Sequence, residues 1–63
     1  MERFPREHLA DMHLVYGRAD GVSRRAARMY AELHPGREQP DHRIFAKLHR
    51  NLRETGTLTV SLL

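Results

Sequence analysis

A chain of 63 residues makes one domain at most, and domains this small bury only roughly 60% of the surface that their unfolded chains expose. With no cysteine there is neither a disulfide framework nor a thiolate metal site, so apolar packing alone must hold the fold. Eleven basic and eight acidic residues give a formal charge of +3; Glu2, Arg3, Arg6, Glu7 and Asp11 interrupt any signal-peptide core, and no stretch approaches the roughly 20 apolar residues of a membrane span. The expectation is a soluble, intracellular chain with no membrane partner.

Three helices are predicted in chain order. The first spans about 5–16, with Pro5 in its first turn and Gly17 placed to end it in the left-handed conformation. Leu9, Met12 and Tyr16 form its apolar stripe, with Leu14 and Val15 on the flanks, and Asp20-Gly21 signals a turn. The second spans about 23–33, capped by Ser23 and stopped by Pro35 and Gly36. Val22, Ala26, Met29, Tyr30 and Leu33 share one face, Arg24, Arg25, Arg28 and Glu32 the other, and the small Ala26 and Ala27 allow a neighbouring helix to approach. Residues 35–40 read as an exposed connector, longer than the shortest helix-turn-helix linkage.

The third helix, about 41–55, has the clearest limits: Asp41 as N-cap after Pro40, and Gly56 beyond its end. Ile44, Phe45, Leu48 and Leu52 make one face. On a wheel of about 100° per residue, Arg43, Ala46, Lys47, Arg50 and Arg53 gather opposite, within an arc of roughly 120°. Residues 57–63 alternate Leu58, Val60 and Leu62 with hydroxyl residues and form a loose C-terminal tail or the start of a linker, following a domain at 1–56. The fold class is all-α, a three-helix bundle of the homeodomain-like, helix-turn-helix type.

Charge is segregated along this framework. Residues 1–21 carry about −1 and residues 22–56 about +4, and ten of the eleven basic residues are arginine, whose planar fork suits phosphate oxygens and guanine edges. The segments "DMHLVYG", "RAARMYAELHPGR" and "PDHRIFAKLHRNLRETG" resemble an arthropod helix-turn-helix family of unknown function, itself similar to the N-terminal DNA-binding part of mariner and Tc-like transposases. The resemblance covers about 4–58. It is anchored on Tyr16 and Gly17, Ala26 and Tyr30, Pro35 and Arg37, Pro40 and Phe45, and the closing run from Leu52 to Gly56. Pro5, His34 and Glu38 depart from the family pattern; loss of apolar area at His34 should weaken packing, and Glu38 opposes phosphate. The resemblance implies a nucleic-acid-binding module.

The expected function is therefore sequence-directed binding of double-stranded DNA by a transposon-derived module acting in the nucleus, with the third helix in the major groove. Arg43 and Lys47, in its N-terminal half, are the candidates for base contact; Arg50 and Arg53 should meet backbone; His42 offers a neutral hydrogen bond. Arg24, Arg25 and Arg28, at the start of the second helix, are placed to meet phosphate.

No cofactor or metal is expected: His42 and His49 lie seven residues apart, about 10 Å along a helix, and His8 and His13 diverge by roughly 140°. His13, beside the first apolar stripe, suits a partly buried packing role. Nor is the chain expected to be an enzyme, since it lacks a carboxylate trio for metal-assisted phosphoryl transfer, and Glu7 with Asp11 reads as a solvated face. The rival accounts are a protein-binding module that offers its apolar tail as a strand, and a mobile-element remnant that keeps the fold without function. A homodimer, or a further domain on a longer parent, would raise selectivity.

Overall fold

Phe4, ahead of the first helix, and Leu9, in its second turn, occupy the two positions of a hydrophobic staple, and both are buried in one core. Between them Pro5, extended at φ −60° and ψ 154°, presents its carbonyl to the Leu9 N–H at 3.0 Å. In the computed structural model, which describes residues 4–59, this entry opens α1 (Arg6–Arg18), followed by α2 (Ser23–Leu33) and α3 (His42–Thr55). No strand occurs among the described residues, and no helix among them is long and apolar enough to cross a membrane.

The first helix corrects the expected stop at Gly17. Gly17 is an ordinary helical residue, and α1 continues to Arg18. The chain turns at Asp20 instead, with φ +57°: its N–H reaches the Gly17 carbonyl at 3.1 Å, and the Gly21 N–H reaches the Tyr16 carbonyl at 3.0 Å. These are the two hydrogen bonds of a Schellman ending, here built on an aspartate, one of the few non-glycine residues that tolerate this backbone. Two further helical residues alter the buried stripe, which reads Leu9, Met12, Val15 and then Ala19, while Tyr16 is half-buried and Leu14 is 61% exposed.

Ser23 does not cap α2. The N-cap is Val22, without a side-chain hydrogen bond, and Ser23 is already helical. The expected apolar face shrinks at both ends, since Val22 and Leu33 are exposed and the fully buried residues are Ala26 and Tyr30. Ala26 leaves no bulk between α2 and its neighbours, and Tyr30 fills the space between α2 and α3, with its ring edge-on to Phe45 at 6.0 Å between centroids.

Both ends of α3 follow the sequence. Asp41 Oδ1 accepts the Arg43 N–H at 2.9 Å, Pro40 and Phe45 form a second buried staple pair, and Gly56 closes the helix at φ +76°. Phe45 and Leu48 are buried, and Ile44 packs at the core's edge. Beyond Gly56 the tail is held as far as Thr59: Leu58 packs on the core, and Asn51 Nδ2 donates to the Thr59 carbonyl at 2.7 Å. Val60, Leu62 and the rest of the predicted strand-like pattern lie outside the described residues.

The connector between α2 and α3 is not the plain exposed loop that its composition suggests. Arg37 folds back from it, donating from Nη1 to Asp11 on α1 at 2.8 Å and, more weakly, toward the Tyr30 hydroxyl at 3.4 Å. Gln39 Nε2 donates to the carbonyls of His34 and Arg37, and Pro40 is buried. The His34 ring lies against Tyr30, 4.9 Å between centroids, so this position, where less apolar area was expected to weaken packing, still touches the core through an aromatic ring. Asp11 is likewise no idle surface carboxylate. It ties α1 to the connector through Arg37.

Candidate nucleic-acid interface

The third helix carries the cationic face because its period sets it there. With Phe45 and Leu48 fixed in the core, Arg43, Ala46, Arg50 and Arg53 fall on the open side and are exposed, and Lys47 is half-buried beside them. Among the described residues, Lys47, Arg50 and Arg53 engage no carboxylate. Two shallow hollows flank this face. One, of about 290 Å³, is lined by Asp41, Arg43, Ile44 and Lys47; the other, of about 450 Å³, by His49, Arg50, Arg53 and Glu54.

Arg43 is held in a way that its place on the wheel does not reveal. Its Nε donates to Asp41 Oδ1 at 3.0 Å and its Nη2 to Asp41 Oδ2 at 3.2 Å, while Oδ1 also caps the helix. Side-chain and backbone hydrogen bonds from Arg43 hold the Asp41 carboxyl far below the usual carboxylate range, and Asp41 in turn raises the affinity of the Arg43 guanidinium for its proton. His42 is half-buried with Nδ1 3.5 Å from Asp41 Oδ1, so its ring faces the cap.

The three arginines of α2 are all exposed. Arg24 and Arg28 make no ion pair with any described residue, and Arg25 comes only to 3.9 Å from Asp20, with both side chains largely in solvent. At this separation an exposed pair adds little.

A second feature escaped the spacing rules because it joins separate helices. His13 Nε2 on α1 and His49 Nδ1 on α3 are 2.9 Å apart, with their rings stacked at 5.2 Å between centroids and Tyr16 tilted against His49 at 5.6 Å. Burial lowers the His13 pKa from 6.5, and the charge of His49 lowers it further. Among the described residues no three histidine, aspartate or glutamate side chains come together in a way that would hold a metal ion.

A search of curated proteins and a search of solved structures each gave no significant match. A family match is clear, however, and it covers the whole arrangement just described, from the Pro5 carbonyl to the Asn51 contact with Thr59. Over residues 5–59 the sequence fits the family described as "Helix-turn-helix domain (DUF4817)", and the chain belongs to that family.

Proposed function

We propose that this chain binds double-stranded DNA, laying α3 in the major groove. The observation that carries the reading is the row of exposed Arg43, Arg50 and Arg53 with half-buried Lys47 on the side of α3 opposite Phe45 and Leu48, in a chain of helix-turn-helix type. Arg43 and Lys47, nearest the start of the helix, read base edges; Arg50 and Arg53 meet backbone; Arg24, Arg25 and Arg28 reach phosphates alongside, with His42 at the margin. In this reading the module is of transposase type, kin to mariner and Tc-like DNA-binding domains, works in the nucleus, and performs no catalysis. Its carboxylates Asp11 and Asp41 are already engaged by arginines, which favours binding over chemistry. A second copy, or a further module on a longer chain, would add the selectivity that one small domain lacks.

Salt dependence tests the proposal. If four or five cationic side chains displace condensed counterions, the logarithm of the affinity for a mixed-sequence duplex falls against log salt with a slope of about −4, from a dissociation constant on the order of micromolar to sub-millimolar at physiological salt. A fluorescence-anisotropy titration of the purified chain measures this slope. Binding that ignores salt, or no binding at low salt, overturns the reading and favours an apolar protein contact instead.

A further inference from the structure

We infer that Asp41 is a specificity-determining positioning residue, which holds the Arg43 guanidinium in a fixed pose for reading one base pair; the inference rests on the DNA-binding reading above. An arginine that is 81% exposed has four rotatable bonds and no reason to point anywhere. Asp41 removes that freedom. Its two oxygens take the Nε–H and one N–H of Nη2, the side-on edge of the guanidinium.

A guanidinium has five N–H donors, so three remain, two on Nη1 and one on Nη2. One N–H of each nitrogen forms the end-on fork, the edge that pairs with O6 and N7 of guanine. Asp41 is itself fixed, because Oδ1 also receives the Arg43 backbone N–H as the helix cap. One carboxylate thus ties a helix end and a side chain to the same pose, beside the hollow it shares with Ile44 and Lys47.

Charge points the same way. The paired Asp41 and Arg43 sum to zero, so together they add nothing to the attraction between this face and phosphate. Lys47, Arg50 and Arg53 supply that attraction. What the pair retains is geometry: a directed fork with its charge balanced, suited to choosing among base pairs and not to holding the duplex.

The test separates choice from grip. Asp41→Ser keeps an N-cap oxygen but is too short to hold the fork. Asp41→Asn keeps the cap and one acceptor, and serves as the second variant, with far-UV circular dichroism confirming that each is folded. Wild-type and variant chains select from a duplex pool with a randomised core, and anisotropy then compares the winning duplex with a mixed-sequence one.

The expected result is that Asp41→Ser binds the mixed duplex as tightly as wild type or several-fold tighter, having lost a negative charge. Its preference for the winning duplex should fall about tenfold, with Asp41→Asn between the two. An unchanged or sharper preference in Asp41→Ser would overturn the inference and show Asp41 to be a mask on Arg43. Wild-type binding without any preference would also overturn it, leaving DNA binding intact. If no chain binds any duplex, the parent reading fails with it.

Discussion

Two aspartate–arginine pairs in this chain use the same chemistry for different ends. Asp11 and Arg37 meet across 26 positions of sequence, at 2.8 Å, with the arginine side chain 24% exposed and its guanidinium against the buried Tyr30. Asp41 and Arg43 meet across two positions, at 3.0 Å, with the arginine side chain 81% exposed. The first closes a loop on the core and ties α1, α2 and the connector together. The second constrains nothing beyond its own turn of helix, and it leaves three donors facing solvent. An arginine's role therefore follows from what its partner encloses, not from the strength of the pair.

Substitutions at and around the pairs should divide along that line. Removing the floor under Arg37 has the largest effect: Tyr30→Ala deletes a fully buried ring and should cost about 3–5 kcal/mol, comparable with the whole stability of a domain this small. Circular dichroism should show the chain largely unfolded at 25 °C. Next comes Arg37→Ala, which should lower the melting temperature by roughly 5–10 °C while the remaining folded molecules keep their affinity for duplex. A melting curve like that of the wild type would mean that the connector holds itself.

A change remote from both pairs calibrates their effects. Gly17 is helical and exposed, and a Cβ there would meet nothing within 4 Å, so Gly17→Ala should stabilise the fold by about 1 kcal/mol in urea titration.

Acid tests the other tie between α1 and the rest. Because His13 holds its proton less tightly in the folded chain than in the unfolded one, the unfolded chain takes up more protons as pH falls. The contribution of the His13–His49 contact is complete above pH 6.5, the ordinary value, and is lost progressively below it, through the depressed folded pKa. The urea midpoint should accordingly drop between about pH 7.5 and 5, by no more than one proton's worth. His13→Gln, which can still donate to His49 but cannot be charged, should flatten that slope. Smallest of all on stability is Arg43→Ala, expected to shift the melting temperature by no more than roughly 2–4 °C while it weakens sequence preference; Arg50→Ala should instead weaken all duplexes alike.

How far these roles were visible in the sequence depends on the distance over which the signal acts. The limits of α3 and its cationic face were readable because a cap, a staple and a 3.6-residue period each act within one or two turns: Asp41, Pro40 with Phe45, and Arg43, Lys47, Arg50 and Arg53 announce themselves locally. The bidentate grip of Asp41 on Arg43 had a local signal too, a carboxylate at the cap two residues before an arginine. A helix cap is enough to account for an aspartate at that position, so the pattern alone does not single out the grip. The end of α1 differs from its local signal for a related reason. Gly17 offers a stop, but Asp20 with Gly21 offers two hydrogen bonds and a better one, and extending the helix buries Ala19.

Other features had no local signal. Arg37 reaching Asp11 and His13 meeting His49 across 36 positions both depend on how three rods are set against each other. The sequence by itself determined three amphipathic helices and which face of the last stays open, since period and caps are properties of neighbouring residues. Only the tertiary structure decided which polar side chains brace the bundle and which remain available to a partner. That choice is made by distances between helices, and no pattern along one helix contains them.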